Sequence, residues 1–119
     1  MNKYPIKVIK TWGWEQWIEN SEDYCMKLLC CIGDKWSSEG KFHYHKKKLE
    51  TFLVVNGTLM LEVITDKDIT IRKTLKPFES FKVERGVLHR FKASTPICYF
   101  VEASTFHDDE DSYRVEVEI

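Results

Sequence analysis

The sequence predicts an all-β protein in which short antiparallel strands form a sandwich or a barrel. Runs rich in β-branched and aromatic residues alternate with frequent turn signals along the chain, a pattern typical of strands. About eleven such runs within 119 residues leave no room for the long crossovers that parallel strands need. Many short antiparallel strands bury their apolar faces by packing as two sheets or by closing into a barrel.

The predicted strands follow one another along the chain with short connections. We place them at residues 7–12, 15–18, 24–32, 42–45, 51–56, 58–64, 70–75, 80–83, 88–92, 97–102 and 113–118.

Asn56-Gly57 is the strongest turn signal in the chain. It stands between two apolar runs, and this pair supplies the two positive φ angles of a type I′ turn. We therefore expect a two-residue hairpin that pairs Val55 with Thr58.

Length and composition predict one soluble globular domain over 1–119. Of its residues, 43% are hydrophobic and 31% are charged, which is ordinary for such a domain. We expect a core at about 24–103, an N-terminal strand extension at 1–23 and an acidic C-terminal strand segment at 104–119. Eighteen basic and nineteen acidic side chains give a net charge of -1, which argues against non-specific nucleic-acid binding.

Hydropathy and cysteine usage predict a cytoplasmic protein. No apolar run approaches the roughly 20 residues of a membrane span, and the first residues lack the apolar core of a signal peptide. Cys25, Cys30, Cys31 and Cys98 show no Cys-x-x-Cys spacing, so we expect small buried hydrophobes in a reducing compartment rather than a zinc site.

The segment 40–50 carries the clearest chemical signal. Residues two apart on a strand share a face, so His43 and His45 present two imidazoles side by side. Glu50 opens the next strand, and His89 lies in another predicted strand. Imidazoles with a carboxylate are a common ligand set for iron, manganese, nickel or zinc. A His-x-His pair alone also arises by chance, so a purely structural role stays open at this point.

The same segment resembles the first cupin motif. The spacing of Gly40, His43, His45, Glu50 and Gly57 fits that motif's order of Gly, His-x-His, Glu and Gly.

Residues 83–89 resemble the second cupin motif. The spacing of Gly86 and His89 matches it, but Glu84 stands where Pro is usual and Ala93 where Asn is usual. Neither departure removes a metal ligand.

The resemblance implies a double-stranded β-helix, a jelly-roll barrel of two packed antiparallel sheets. It also implies that His43, His45, Glu50 and His89 ligate one divalent transition metal (Fe, Mn, Ni or Zn) and leave two positions open.

The flanking segments narrow the resemblance. Residues 10–15 resemble the Lys-Pro-Trp-Gly-x-Glu lead-in of cupins related to type II mannose-6-phosphate isomerases, with Thr11 in place of Pro. Residues 102–115 are similar to the acidic, Arg-closed tail of that group. This likeness implies a sugar or sugar-phosphate isomerase or epimerase.

Strand alternation predicts an apolar pocket beneath the ligands. The residues expected to face inward are Phe52, Val54, Leu59, Leu61, Val63 and Phe91. Such a floor offers few hydrogen-bond donors to a sugar phosphate, and no second inward carboxylate is expected.

The remaining charged residues are expected mostly at the surface. Arg90 should face outward, and Lys46–Lys48 should form a solvated turn from which one lysine could reach the cavity mouth. Arg114 with the acidic run 108–111 should form a solvent-exposed salt-bridged face, with a phosphate-binding role for Arg114 less favoured. His107 is expected as a polar turn residue and not a fifth ligand.

Apolar residues outside the pocket favour a homodimer. Leu53, Val55 and Met60 are expected to form a stripe that a second sheet or another subunit must cover. Trp12, Trp14 and Trp17 are more typical of a core or dimer contact than of a sugar-stacking site.

Three hypotheses for the function follow. The first is a metal-dependent isomerase or epimerase of a small carbohydrate. The second is an iron-dependent dioxygenase acting on a small, partly apolar substrate, and the third is a non-catalytic ligand-binding cupin.

Overall fold

Two antiparallel sheets form the protein, as the sequence predicts. The computed structural model describes residues 3–117, so the ends of the predicted terminal segments (1–2 and 118–119) lie outside the described residues. The described strands are β1 (Ile6–Lys10), β2 (Gly13–Asn20), β3 (Cys25–Ile32), β4 (Phe42–Tyr44), β5 (Glu50–Asn56), β6 (Leu59–Ile64), β7 (Thr70–Leu75), β8 (Ser80–Val83), β9 (Leu88–Ala93), β10 (Ile97–Ser104) and β11 (Tyr113–Val115).

The strand order explains how distant segments meet. One sheet has the order β1-β2-β3-β10-β5-β8, and the other has the order β11-β4-β9-β6-β7. Two short 3-10 turns, Ser37–Gly40 and Asp109–Asp111, connect strands close to the ends of β4 and β11. This arrangement is the predicted jelly roll, in which neighbouring strands are often far apart in sequence.

The apolar core lies between the two sheets. Phe52, Phe91 and Phe100 contact one another edge-to-face with ring centroids 5.1 to 5.8 Å apart. Trp12 packs edge-on against Phe91 at 5.1 Å, which confirms its expected place in the core. The four cysteines are free and buried, as expected.

The predicted Asn56-Gly57 hairpin does not form. β5 and β6 belong to different sheets, so the segment between them crosses from one sheet to the other, and Val55 does not pair with Thr58. Gly57 has φ +79°, while Asn56 is not among the described residues with positive φ. The physical reason is that a jelly roll pairs β5 with β8 and β10, so the local turn signal is used for a change of sheet.

The same crossing divides the apolar stripe that favoured a dimer. Leu53 and Val55 lie partly exposed on the six-stranded sheet, whereas Met60 lies on the five-stranded sheet. A homodimer therefore stays a prediction without that stripe as its support. Within residues 3–117, no helix has the length and apolar character needed to cross a bilayer.

Candidate metal centre

Strand pairing brings three histidines and one glutamate together. His43 on β4 is the register partner of His89 on β9, and His45 follows directly after β4. Glu50 is the first residue of β5 in the opposite sheet. All four side chains predicted as ligands therefore converge between the two sheets, with Glu50 facing the histidines from across the barrel.

The four side chains are close and almost completely buried. The ligand nitrogens of His43, His45 and His89 lie within 4.8 Å of one another. Oε2 of Glu50 lies 3.2 Å from Nε2 of His45 and 3.5 Å from Nε2 of His89. Exposure ranges from 9% for His43 to 0% for His89.

Backbone carbonyls fix the tautomers of two of the rings. Nδ1 of His45 donates to the carbonyl oxygen of Asp111 at 2.9 Å, and Nδ1 of His89 donates to that of Val87 at 2.9 Å. A carbonyl oxygen only accepts, so Nδ1 carries a proton and, in the neutral ring, Nε2 is the nitrogen left to bind a metal. Partners of this kind orient metal-binding histidines in proteins.

His43 has a comparable but longer contact. Its Nδ1 lies 3.3 Å from Oγ of Ser38, in the 3-10 turn that precedes β4. Burial, followed by the neighbouring His89, lowers the pKa of His43 well below its usual value. The ring is therefore neutral at pH 7, as a metal ligand must be.

Two buried polar atoms in the cluster lack hydrogen-bond partners within the described residues. They are Oε2 of Glu50 and Nε2 of His89, which face each other. Burial raises the pKa of the Glu50 carboxyl, but Lys48, His45 and His89 outweigh that effect and hold it well below its usual range. A buried carboxylate beside three imidazoles, with these two atoms left without a partner, fits a divalent cation.

Lys48 occupies an unexpected position beside the cluster. The sequence places it in a solvated turn, yet it is 3% exposed, whereas Lys46 and Lys47 are exposed. Its Nζ lies 3.1 Å from Oε2 of Glu102, 3.0 Å from Nδ1 of His107 and 3.7 Å from Oε1 of Glu50.

Asp111 explains why the turn points Lys48 inward. Its carboxylate accepts hydrogen bonds from the backbone N–H groups of residues 46, 47 and 48 at 2.9 to 3.2 Å. Burial raises the pKa of this carboxyl, but these three N–H groups outweigh it and lower the pKa overall. Asp111 thus holds both the lysine turn and, through its carbonyl, the ring of His45.

The cluster opens on a cavity of about 360 Å³, a size at the small end for ligand sites. Of the residues expected to form its floor, Phe91 lines it, while Phe52, Val54, Leu59, Leu61 and Val63 pack in the core. Alternation predicts which side chains face inward, but not which end of the barrel is filled and which stays open.

Charged side chains dominate the cavity wall. Four cationic residues (Lys10, Lys27, Lys48, Arg114) and four anionic residues (Glu15, Glu50, Glu102, Asp109) line it.

Three of these residues escaped the sequence analysis. Lys27, Glu15 and Glu102 are 1%, 9% and 4% exposed, so two further carboxylates do face inward, contrary to expectation. The alternation of inward and outward residues along a strand could have identified two of them. Lys27 lies on the same face of β3 as the buried Leu29, and Glu102 lies on the same face of β10 as the buried Phe100.

His107 is a cavity residue rather than a simple turn residue. Its Nε2 lies 2.8 Å from Oδ1 of Asp109, and Trp17 packs edge-on against the ring at 5.1 Å. Burial, Lys48 and Lys27 lower its pKa. It is not one of the three clustered imidazoles, in agreement with the sequence analysis.

Arg90 faces away from the cluster, as expected, and is bound rather than free. It donates to Glu62 and to the carbonyl oxygen of Gly40, and its guanidinium stacks on Trp36 at 4.0 Å. Arg114 is exposed at the cavity edge.

Residues 35–103, more than half of the chain, match the family described as Cupin domain. The protein is a cupin. Together with the three-histidine cluster, this membership indicates a divalent metal site of undetermined identity. A search of curated proteins found no match.

Solved structures with this cupin's fold include two kinds of protein. The capsular polysaccharide assembling protein CapF from Staphylococcus aureus is 18% identical with a TM-score of 0.82, over 97% of this chain and 33% of that one. Oxalate decarboxylase from Bacillus subtilis is 11% identical with a TM-score of 0.81, over 93% and 30% of the two chains. At such identities the likeness concerns the fold, and the cupin spans about a third of these chains.

Proposed function

We propose that this cupin is a divalent-metal isomerase or epimerase of a small sugar or sugar phosphate. The observation that carries the proposal is the polar, charged cavity onto which the histidine cluster opens. A wall of lysines, carboxylates and hydroxyls can hydrogen-bond a hydroxylated substrate, which an apolar floor could not do.

Each residue of the cluster has a role in this proposal. His43, His45, Glu50 and His89 would hold the metal, and Asp111 and Val87 would orient two of the rings. When bound, a divalent metal supplies Lewis-acid polarisation of substrate oxygens.

Glu15 is our candidate for the proton-transfer residue. Its Oε1 accepts a hydrogen bond from Nε1 of Trp17 at 2.8 Å, and its Oε2 has no hydrogen bond within residues 3–117. Glu102, in contrast, is held by Lys48 and by the hydroxyl of Ser104. A carboxylate with one uncommitted oxygen can take a proton from a substrate carbon and return it to the neighbouring one.

The flanking segments support the likeness to type II mannose-6-phosphate isomerases. Lys10, Trp12 and Glu15 of the lead-in and Arg114 of the tail all line the cavity. Two segments at opposite ends of the chain therefore contribute to the same site.

The test is a turnover assay on metal-replete protein. Aldoses, ketoses and their phosphates are incubated with protein loaded in turn with iron, manganese, nickel or zinc, and interconversion is followed by NMR. We expect one substrate pair to interconvert, His43→Ala to abolish this with the fold intact, and Glu15→Gln to lower kcat. If no metal-loaded form of the protein interconverts any sugar of the panel, the proposal is wrong.

A second candidate, a non-catalytic ligand-binding cupin, is favoured by the paired state of the cavity charges. Lys48 neutralises Glu102, and both ring nitrogens of His107 are engaged. This candidate predicts thermal stabilisation by a ligand without turnover. The polar wall gives less support to a dioxygenase of partly apolar substrates, for which oxygen consumption is the discriminating assay.

A further inference from the structure

Lys27 has a buried side chain whose ammonium lines the cavity and makes no hydrogen bond within residues 3–117. Its residue is only 1% exposed, as little as the core residues Phe42 and Phe52. Its Nζ lies 3.7 Å from Oε1 of Glu15, beyond hydrogen-bond distance, and 4.3 Å from the ring of Trp17. Within residues 3–117 no acceptor takes any of its three N–H donors.

The surroundings of Lys27 differ from those of the other buried lysine. Lys48 donates to Glu102 at 3.1 Å and contacts His107 at 3.0 Å, so its donors are used within the protein. Lys27 lines the same cavity with its donors unused. Lys27 has an ion pair with Glu15 at 3.7 Å but no hydrogen bond, so its N–H donors are open to an acceptor that enters the cavity.

We propose that Lys27 is the anion-recognition residue of the cavity and binds a carboxylate or phosphate group of the ligand. This inference rests on the proposed function, because it names the charge of the substrate that the same cavity takes. The anionic group would lie at Lys27 while the rest of the ligand extends towards the histidine cluster.

The sheet geometry sets the span of such a ligand. Lys27 pairs with Glu102, while Glu50 pairs with Ser104, two residues further along β10. Two strand spacings and two residues place the Cα atoms of Lys27 and Glu50 on the order of 12 Å apart. Both side chains stand on the same face of this sheet, so a ligand would have to span a comparable distance.

The charge of the cavity also favours an anion. Its cationic and anionic side chains are equal in number, so a divalent metal at the cluster makes the loaded cavity positive. A ligand with an anionic group restores the balance in a site where charges are weakly screened.

The test compares anionic and neutral probes on manganese-loaded protein by calorimetry. The probes are mannose 6-phosphate for a phosphate, gluconate for a carboxylate and mannose as the neutral reference. We expect Lys27→Met to weaken one or both anionic probes at least tenfold and to leave mannose unchanged. Lys92→Met is the matched control, because Lys92 also contacts an indole (Trp36) and a carboxylate (Asp34) but lies outside this cavity.

A second variant, which should bind anions more tightly, separates an effect on binding from an effect of misfolding. Glu15→Gln removes the carboxylate beside Lys27 and keeps an oxygen for Nε1 of Trp17, so anion binding should tighten several-fold. Loss of stability cannot produce tighter binding.

Equal binding of the anions to wild type and Lys27→Met, or no preference of the wild type for anions over mannose, would overturn the inference. Lys27-dependent binding of mannose 6-phosphate without conversion would instead remove the isomerase proposal and leave this inference standing.

Discussion

Lys48 connects the candidate metal cluster to the acidic wall of the cavity. Burial lowers the pKa of its ammonium, but Glu102 and Glu50 outweigh burial and raise the pKa overall. Burial likewise raises the pKa of Glu102, and Lys48 and Lys27 reverse that effect. All three groups are therefore charged at pH 7, and each depends on the others for compensation.

Replacement of Lys48 should be severely destabilising. Lys48→Met removes the cation that contacts the two buried carboxylates Glu50 and Glu102, so we expect a loss of about 3–5 kcal/mol in the free energy of unfolding. Urea denaturation measures it, with the exposed Lys46→Met as control. The double variant Lys48→Met/Glu102→Gln should lose less than the sum of its single variants. A cost below about 1 kcal/mol for Lys48→Met, as at an exposed ion pair, would contradict this account.

Glu62, which lies away from the cavity, should make a pH-dependent contribution to the free energy of unfolding. Burial raises its pKa, but Arg72 and Arg90, at 2.6 and 2.7 Å, lower it overall. A carboxyl whose folded pKa is depressed contributes stability above its unfolded pKa of about 4.3 and loses it as pH falls through the folded value.

Glu62→Gln should therefore cost about 1.5–3 kcal/mol at pH 7, the range for hydrogen bonds to charged groups, and progressively less below about pH 4. Urea denaturation at a series of pH values measures this difference. Glu84→Gln is the control, because its pair with Lys82 is exposed. A difference between Glu62→Gln and wild type that does not change with pH would refute the assignment.

At the scale of elements, Gly57 sets the crossing from β5 to β6. It has φ +79°, and an added Cβ would collide with the carbonyl oxygen of Ile97. Gly33 has a similar φ of +72° but no atom within 4 Å of such a Cβ.

Gly57→Ala should thus destabilise the protein more than Gly33→Ala. The backbone conformation alone costs about 1–3 kcal/mol at either position, and the collision adds to it only at Gly57. Thermal unfolding of the two variants compares them. Equal melting temperatures would show that the collision is relieved without cost.

Local patterns predicted the strands well because β-branched runs and alternation depend on nearest neighbours. The pairing of β5 was not predictable in this way, since its partners β8 and β10 come from far along the chain. The inward faces of Leu59 and Leu61 were still correct, because the core face depends on alternation and not on which strand is the partner.

The residues of the candidate site were likewise predictable where they depend on local sequence spacing, and not where they depend on contacts between distant segments. The spacing of His43, His45 and Glu50 is local and was visible in the sequence. The inward position of Lys48 was not, because it depends on the carboxylate of Asp111, more than 60 residues away. The cavity wall depends in the same way on contacts between the two ends of the chain.

At the scale of the whole molecule, the candidate metal site joins the two sheets. His43 and His89 belong to the five-stranded sheet, and Glu50 belongs to the six-stranded sheet. A metal held by all of them would link the halves of the barrel in the folded state only. At a free concentration 100 times its Kd it would stabilise the fold by about 2.7 kcal/mol, so removal of the metal should lower the Tm.

The most direct test of the metal centre is the metal content of the purified protein. It is measured by elemental analysis on protein prepared without a His tag, beside the His43→Ala/His89→Ala variant. We predict near-stoichiometric metal in the wild type and its loss from a folded variant. A wild type that stays metal-free after incubation with iron, manganese, nickel and zinc in turn would contradict the metal centre and both metal-dependent functions.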